Sequence, residues 1–210
     1  MSLKPERRSM DPSLPLGISE KGPVVIRWPD DPMIRSPDLS YTHPMRVLGI
    51  DCGSECTGYG VVEEVDRRLA CLANGVIRLR ARDPMALKLQ QIFSSLSAII
   101  IEQQPQMVAI EDVFYAVNVK SALKLGQVRG VAMLAASWAG LEVAEYSPLS
   151  IKSAVVGYGK AEKPQVQQMV MRLLNLPAPP QPPDAADALA IAICHIHTAS
   201  TLKRYQTATS

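Results

Sequence analysis

Asp51 in GIDCGSECTGYGVV, Glu111 in VAIEDVF, and Asp184 with Asp187 in PPDAADALAIAI each stand where an apolar run meets polar or turn residues. A carboxylate there can face solvent while a rigid element holds it. Steps of 60 and then 73 residues separate Asp51, Glu111 and Asp184, so these acids are neither local ion pairs nor a charged tail. If they converge, their mutual repulsion needs compensation, and hard divalent cations such as Mg²⁺ supply it through oxygen ligands. The chemistry such a cluster serves is metal-assisted hydrolysis of the kind a nuclease performs.

Each acid also has a plainer reading. Asp51 before Gly53 could be a turn-forming residue. Glu111 follows four apolar residues and precedes Val113 and Phe114, so it is partly desolvated, and an isolated buried Glu is costly. Its neighbour Asp112 must point to the opposite sheet face, because strand side chains alternate. Asp184 and Asp187, at i and i+3 in the first turn of a helix, share a face. Acids there cap free amides and favour the helix dipole, which explains one of them better than the pair.

The elements that must position these groups follow from hydrophobic periodicity. Arg46 to Asp51, Tyr59 to Glu64 and Leu69 to Leu79 read as three consecutive antiparallel strands separated by turns. Asp83-Pro84 supplies an N-cap and a first helical proline, and Met85, Leu89, Ile92, Phe93, Leu96, Ile99 and Ile100 form one helical stripe. Met107 to Ile110 is a buried strand. Ser121 to Ala139 is a helix weakened by Gly126 and Gly130, where close approach of another element is expected. Leu141 to Tyr146 is a strand, Ser147-Pro148 and Lys163-Pro164 open short helices, and Asp184 opens an Ala-rich last helix. The pattern predicts an α/β fold: a mixed five-stranded sheet, strands 1–3 antiparallel, with helices on its faces.

The 210 residues suit one domain with an appendage. Residues 1–44 hold eight of the seventeen prolines and read as an extended or disordered arm, 45–198 as the domain, and 199–210 as a flexible C-terminal tail. Nothing approaches eighteen uninterrupted apolar residues, so no membrane span is expected, and the N-terminus lacks a signal-peptide core. Net charge of +2 does not announce nucleic-acid binding, although Asn118 to Arg172 carries seven Lys or Arg against three Glu. Cys52, Cys56, Cys71 and Cys194 read as reduced thiols of a cytoplasmic protein. A zinc site from Cys52, Cys56, Cys194 and His195 or His197 fits no common zinc spacing, and packed thiols with surface histidines fit better.

GIDCGSECTGYGVV, AIEDVF, SALKLGQVRGV, VVGYGKAEKPQVQQMV and DAADALAIAI, in that order, resemble the RuvC family of bacterial Holliday-junction resolvases (crossover junction endodeoxyribonucleases). The resemblance spans about Met45 to His197. It implies an RNase H-like fold, a homodimer, and Mg²⁺-dependent cutting of two symmetric strands of a four-way DNA junction, with Mn²⁺ as a substitute. Asp51, Glu111, Asp184 and Asp187 match the family's catalytic, metal-binding acids. Two ions roughly 4 Å apart would serve both ends of an in-line displacement. Asp51 would bridge them, Glu111 would complete one site, and Asp184 with Asp187 the other. The products would carry 5′-phosphate and 3′-hydroxyl ends. Cys52 departs from the family's usual proline after the first aspartate, and its thiol could be oxidised or attract soft metals.

The resemblance also assigns DNA contacts. Lys152 and Lys163 match basic positions near the scissile phosphate, against a plain reading as solvated helix charge. Phe114 matches an aromatic that stacks on bases near the junction, worth about 1–3 kcal/mol, and Tyr115 and Asn118 stand beside it. Lys120 and Lys124, at i and i+4, give one basic helix face for backbone phosphates. Small and apolar residues around the 121–139 helix exceed what one buried side needs, which suits a two-fold interface. The family further implies association with the RuvA–RuvB branch-migration machinery. The rival readings are a non-catalytic junction-binding module, an actin-like or sugar-kinase-type ATPase, and a relative cutting other branched nucleic acid. The ATPase needs a second nucleotide-binding lobe, for which this chain is too short.

Overall fold

The computed structural model describes residues 44–112 and 119–208, with side chains through residue 202. Elements run β1 (Met45–Asp51), β2 (Cys56–Val65), β3 (Arg68–Arg78), α1 (Met85–Gln103), β4 (Met107–Glu111), α2 (Val119–Trp138), β5 (Glu142–Tyr146), α3 (Pro148–Val156), α4 (Lys163–Leu173) and α5 (Pro183–Ala208). The sheet order is β3-β2-β1-β4-β5. β1, β2 and β3 are successively antiparallel, and β4 and β5 run parallel to β1. This is the mixed sheet read from the sequence, with β1 at its centre.

Alternation along β1 sends Leu48 and Ile50 to one face and Val47, Gly49 and Asp51 to the other. The first face packs against α1 and α2 through Ile92, Leu96, Ile100, Val128, Ala132 and Ala136. The second is covered by α3, α4 and above all α5, whose Leu189, Ile191, Ile193 and Ile196 are fully buried. Each such side chain contributes about 1.5–3 kcal/mol relative to exposure. Asp112 also follows the alternation: it pairs with Arg129 of α2 at 3.4 Å, on the face away from Glu111. Arg129 pairs with Glu145 of β5 as well.

The glycines that admit a close neighbour are Gly49, Gly58 and Gly60, not Gly126 and Gly130. Gly49 faces Gly60 across the β1–β2 register, and Gly58 faces Asp51. A Cβ on Gly49 would overlap the backbone of Ala188, one on Gly58 that of Asp184, and one on Gly60 the side chain and amide of Leu189. α5 therefore lies directly on the sheet backbone. Around Gly126 and Gly130 nothing lies within 4 Å. They stand on the outer face of α2, because the inner face is filled by Val128 and alanines.

Two boundaries differ from the sequence reading. Pro84 occupies the N-cap position of α1 rather than its first helical residue, and no side chain caps that end. Residues 199–208, expected as a flexible tail, continue α5, since neither Gly nor Pro interrupts the helix beyond Pro183. Ser200 also bonds Glu64 of β2 (Oγ to Oε2, 3.2 Å). By length and composition α5 could cross a membrane over 183–202, but here it is the core helix, most of it buried against the sheet.

Candidate active site

β1 and β4 are neighbouring parallel strands in register at Ile50 and Ile110, so Asp51 and Glu111 emerge side by side at their C-terminal ends. Both face α5. The glycine floor lowers the first turn of α5 onto this edge and delivers Asp184 and Asp187 to the same spot. α3 and α4 pack beside α5. Ser147 caps α3, its Oγ accepting from the Ser150 amide at 3.1 Å, and Glu162 caps α4 through a capping box with Gln165. These caps fix the helix starts that carry Lys152 and Lys163. Lys163, at the first turn of α4, donates to Asp187 Oδ2 at 2.9 Å.

The electrostatics report the convergence. The Asp51 carboxyl is pushed up from 3.8 to about 7, first by burial and then by the negative charges of Asp187, Glu111 and Asp184, with Lys163 opposing. Glu111 is raised by burial and by Asp187, against Lys163 and Lys152. Lys163 is raised mainly by its bond to Asp187 and remains a cation. Six residues singled out from the sequence thus form one cluster: Asp51, Glu111, Asp184, Asp187, Lys152 and Lys163.

As they stand, no three His, Cys, Asp or Glu side chains among the described residues enclose an ion, and the cation set among the acids is Lys163. The donor set nonetheless fits a hard divalent metal: every ligand is a carboxylate oxygen, and the buried Asp51 gains its charge cheaply only beside added positive charge. The zinc grouping is dispersed. His195 bonds Tyr146 Oη through Nδ1 at 2.9 Å, His197 bonds the Ala154 carbonyl at 3.0 Å, and Cys194 is buried in α5. His195, read as a surface histidine, is 7% exposed.

Cys52 packs on the α1/α2 side, away from the cluster, and burial together with the Asp51 charge pushes its thiol up to about 12. It stays a protonated, apolar filler. The Cys56 thiol is raised by burial and then by the charge of Asp184. Lys124 lies apart from the carboxylates, in a cleft with Lys88 and Ser54, and Lys120 has an exposed side chain at the start of α2. Phe114, Tyr115 and Asn118 lie outside the described residues.

A family model described as Crossover junction endodeoxyribonuclease RuvC matches residues 47–195. The crossover junction endodeoxyribonuclease RuvC of Koribacter versatilis is 67% identical over 161 residues, covering 76% of this chain and 97% of that protein. Thermus thermophilus RuvC superposes with a TM-score of 0.70 at 32% identity, covering 76% of this chain and 98% of the other. The same protein in complex with Holliday junction substrate gives 0.69 at 31% identity, covering 75% and 96%. The fold is RNase H-like.

Proposed function

We propose, from the premise that this chain belongs to the RuvC family, a Holliday-junction endonuclease in which Asp51, Glu111, Asp184 and Asp187 are the catalytic acids. The activity is that of a crossover junction endodeoxyribonuclease, a hydrolase of DNA recombination and repair. The observation that carries the site assignment is the meeting of four carboxylates from β1, β4 and α5 at one edge of the sheet, the other three each acting on Asp51. No structural need of the fold accounts for that much uncompensated negative charge.

The acids would hold divalent cations, with Mg²⁺, two per site, the reading the family supports, and Mn²⁺ a substitute. When bound, such ions supply Lewis-acid stabilisation of the attacking and leaving oxygens. The chain's own residues do the rest. Burial holds Asp51 and Glu111 rigid at paired strand ends, and α5 fixes Asp184 and Asp187 against them. Lys152 and Lys163 bring positive charge to the approaching phosphate and thereby orient the strand. The cut leaves 5′-phosphate and 3′-hydroxyl ends. Phe114 is the further DNA contact that the family motifs support; Tyr115 and Asn118 join it by their place beside it in the sequence, and Lys120 and Lys124 by their i, i+4 spacing on one helix face.

Two symmetric cuts need two active sites, and α2 offers the means. Its outer face exposes Val119, Leu123, Leu134 and Trp138, a stripe of large apolar side chains that a second copy of this chain would bury. This stripe supports a homodimer. The family resemblance supports association with RuvA–RuvB and a cytoplasmic location.

Incubation with a synthetic four-way junction and a linear duplex, with and without Mg²⁺, tests the reading. Cutting is expected of the junction alone and only with the metal. Asp51→Asn and Glu111→Gln should keep junction binding and slow cleavage at least about a hundredfold, a loss of roughly 3 kcal/mol. Undiminished cutting by either variant would remove these residues from the chemistry.

A further inference from the structure

The β1–β2 turn and the first turns of α1 and α2 meet at the end of the sheet that carries Asp51. Between them lies a cleft of about 250 Å³ lined by Ser54, Glu55, Asp83, Met85, Lys88 and Lys124. The two lysines arrive from different helices. Neither side-chain ammonium has a hydrogen-bond or ion-pair partner among the described residues, although Glu55 and Asp83 line the same cleft. Lys88 is partly buried, its stem packed along the cleft wall. Glu55 and Asp83 offset the two ammonium charges overall, so the cleft offers a phosphate local hydrogen-bond donors rather than net positive charge. A single phosphodiester, with one charge and two acceptor oxygens, matches two lysine donors and the Ser54 hydroxyl.

We infer that this cleft grips one backbone phosphate of the DNA strand entering the carboxylate site, with Lys88 as a contact beside Lys124. The inference rests on the nuclease reading above. Ser54 follows Asp51 by three residues, a reach of at most about 10 Å. At an axial rise of about 3.4 Å per nucleotide, the phosphate held would lie within about three nucleotides of the cut. A contact of this kind fixes the strand's register at the acids and carries no sequence information.

Junction binding by the full chain, followed by fluorescence anisotropy without divalent metal over a salt series, tests the contact. Lys88→Gln should raise Kd severalfold at about 0.1 M salt and flatten the slope of log Kd against log salt by about 0.7–0.9, the value of one lost phosphate contact. Lys88→Arg should restore most of both, and Arg67→Gln, at the far end of the sheet, should alter neither. Methylphosphonate substitution, one phosphate at a time, locates the contact. One position within about three nucleotides of the cut should weaken binding by the unmodified protein severalfold, with no further effect on Lys88→Gln. Equal sensitivity of both proteins at every position, with an unchanged salt slope, would overturn the contact while leaving the nuclease reading intact. Unmodified protein that neither binds nor cuts the junction would remove both.

Discussion

Lys163 Nζ lies 2.9 Å from Asp187 Oδ2, so the start of α4 is tied to the first turn of α5 by a cation that bonds one of the four acids directly. Lys163 is largely exposed, and a pair of that kind adds only about 0–1 kcal/mol to folding. Its larger effect is on neighbours: it lowers the cost of charging both Asp51 and Glu111. Lys163→Gln should therefore bind Mn²⁺ more tightly, by severalfold in calorimetry, because a competing positive charge has gone. The same variant should cleave junctions at least about tenfold more slowly, because the phosphate has lost an orienting partner. Weaker Mn²⁺ binding would mean that Lys163 organises the acids rather than competing for them.

Asp51 gives a pH signature in metal-free protein. Its folded-state value near 7 exceeds the ordinary 3.8, so the folded chain holds this proton more tightly than the unfolded chain does. The resulting stability is fully present below about 3.8 and is lost as pH rises through 7. Asp51→Asn removes the penalty. It should raise the unfolding midpoint by several degrees at pH 8 without metal, and by little at pH 5. Added Mg²⁺ should stabilise the unmodified protein at pH 8 more than the variant. Equal midpoints for the two proteins at pH 8 would place Asp51 in ordinary solvent.

Gly58 tests how the acids are gathered. A methyl there would overlap the Asp184 backbone, and no side-chain movement relieves a clash with backbone. Gly58→Ala should lift the first turn of α5, cost about 1–3 kcal/mol in denaturant unfolding, and raise the metal concentration for half-maximal cleavage about tenfold or more. Normal metal dependence in the folded variant would show that the spacing tolerates a shift.

Much of this site could be read from residue order. Asp51 and Glu111 stood at the ends of short apolar runs, and alternation already sent Asp112 to the other face. Asp184 and Asp187 shared a helix face by spacing alone. What the sequence could not carry was pairing. Gly49, Gly58 and Gly60 matter because the β1–β2 register aligns them beneath α5, and register is a long-range property. The expectation of close approach went instead to Gly126 and Gly130, where helical context made glycine look anomalous. Lys88 and Ser54 likewise meet only through tertiary packing, 34 residues apart in the chain.

Gly126 and Gly130 lie on the outer face of α2. Val119, Leu123, Leu134 and Trp138 are 76, 66, 53 and 80% exposed, too large a stripe for a helix whose inner face is already buried. If a second copy covers it, Leu134→Glu should yield a monomer in sedimentation velocity. On a cruciform plasmid the monomer should release nicked circles, where the unmodified protein makes linear product by paired cuts. Gly130→Ala then separates fold from interface. In the Leu134→Glu background it should stabilise the helix by about 0.5–1 kcal/mol, as alanine does for an exposed helical glycine. In the unmodified background it should weaken the dimer, because only the partner helix approaches that position. Tighter association of Gly130→Ala would mean the two copies meet elsewhere on the molecule.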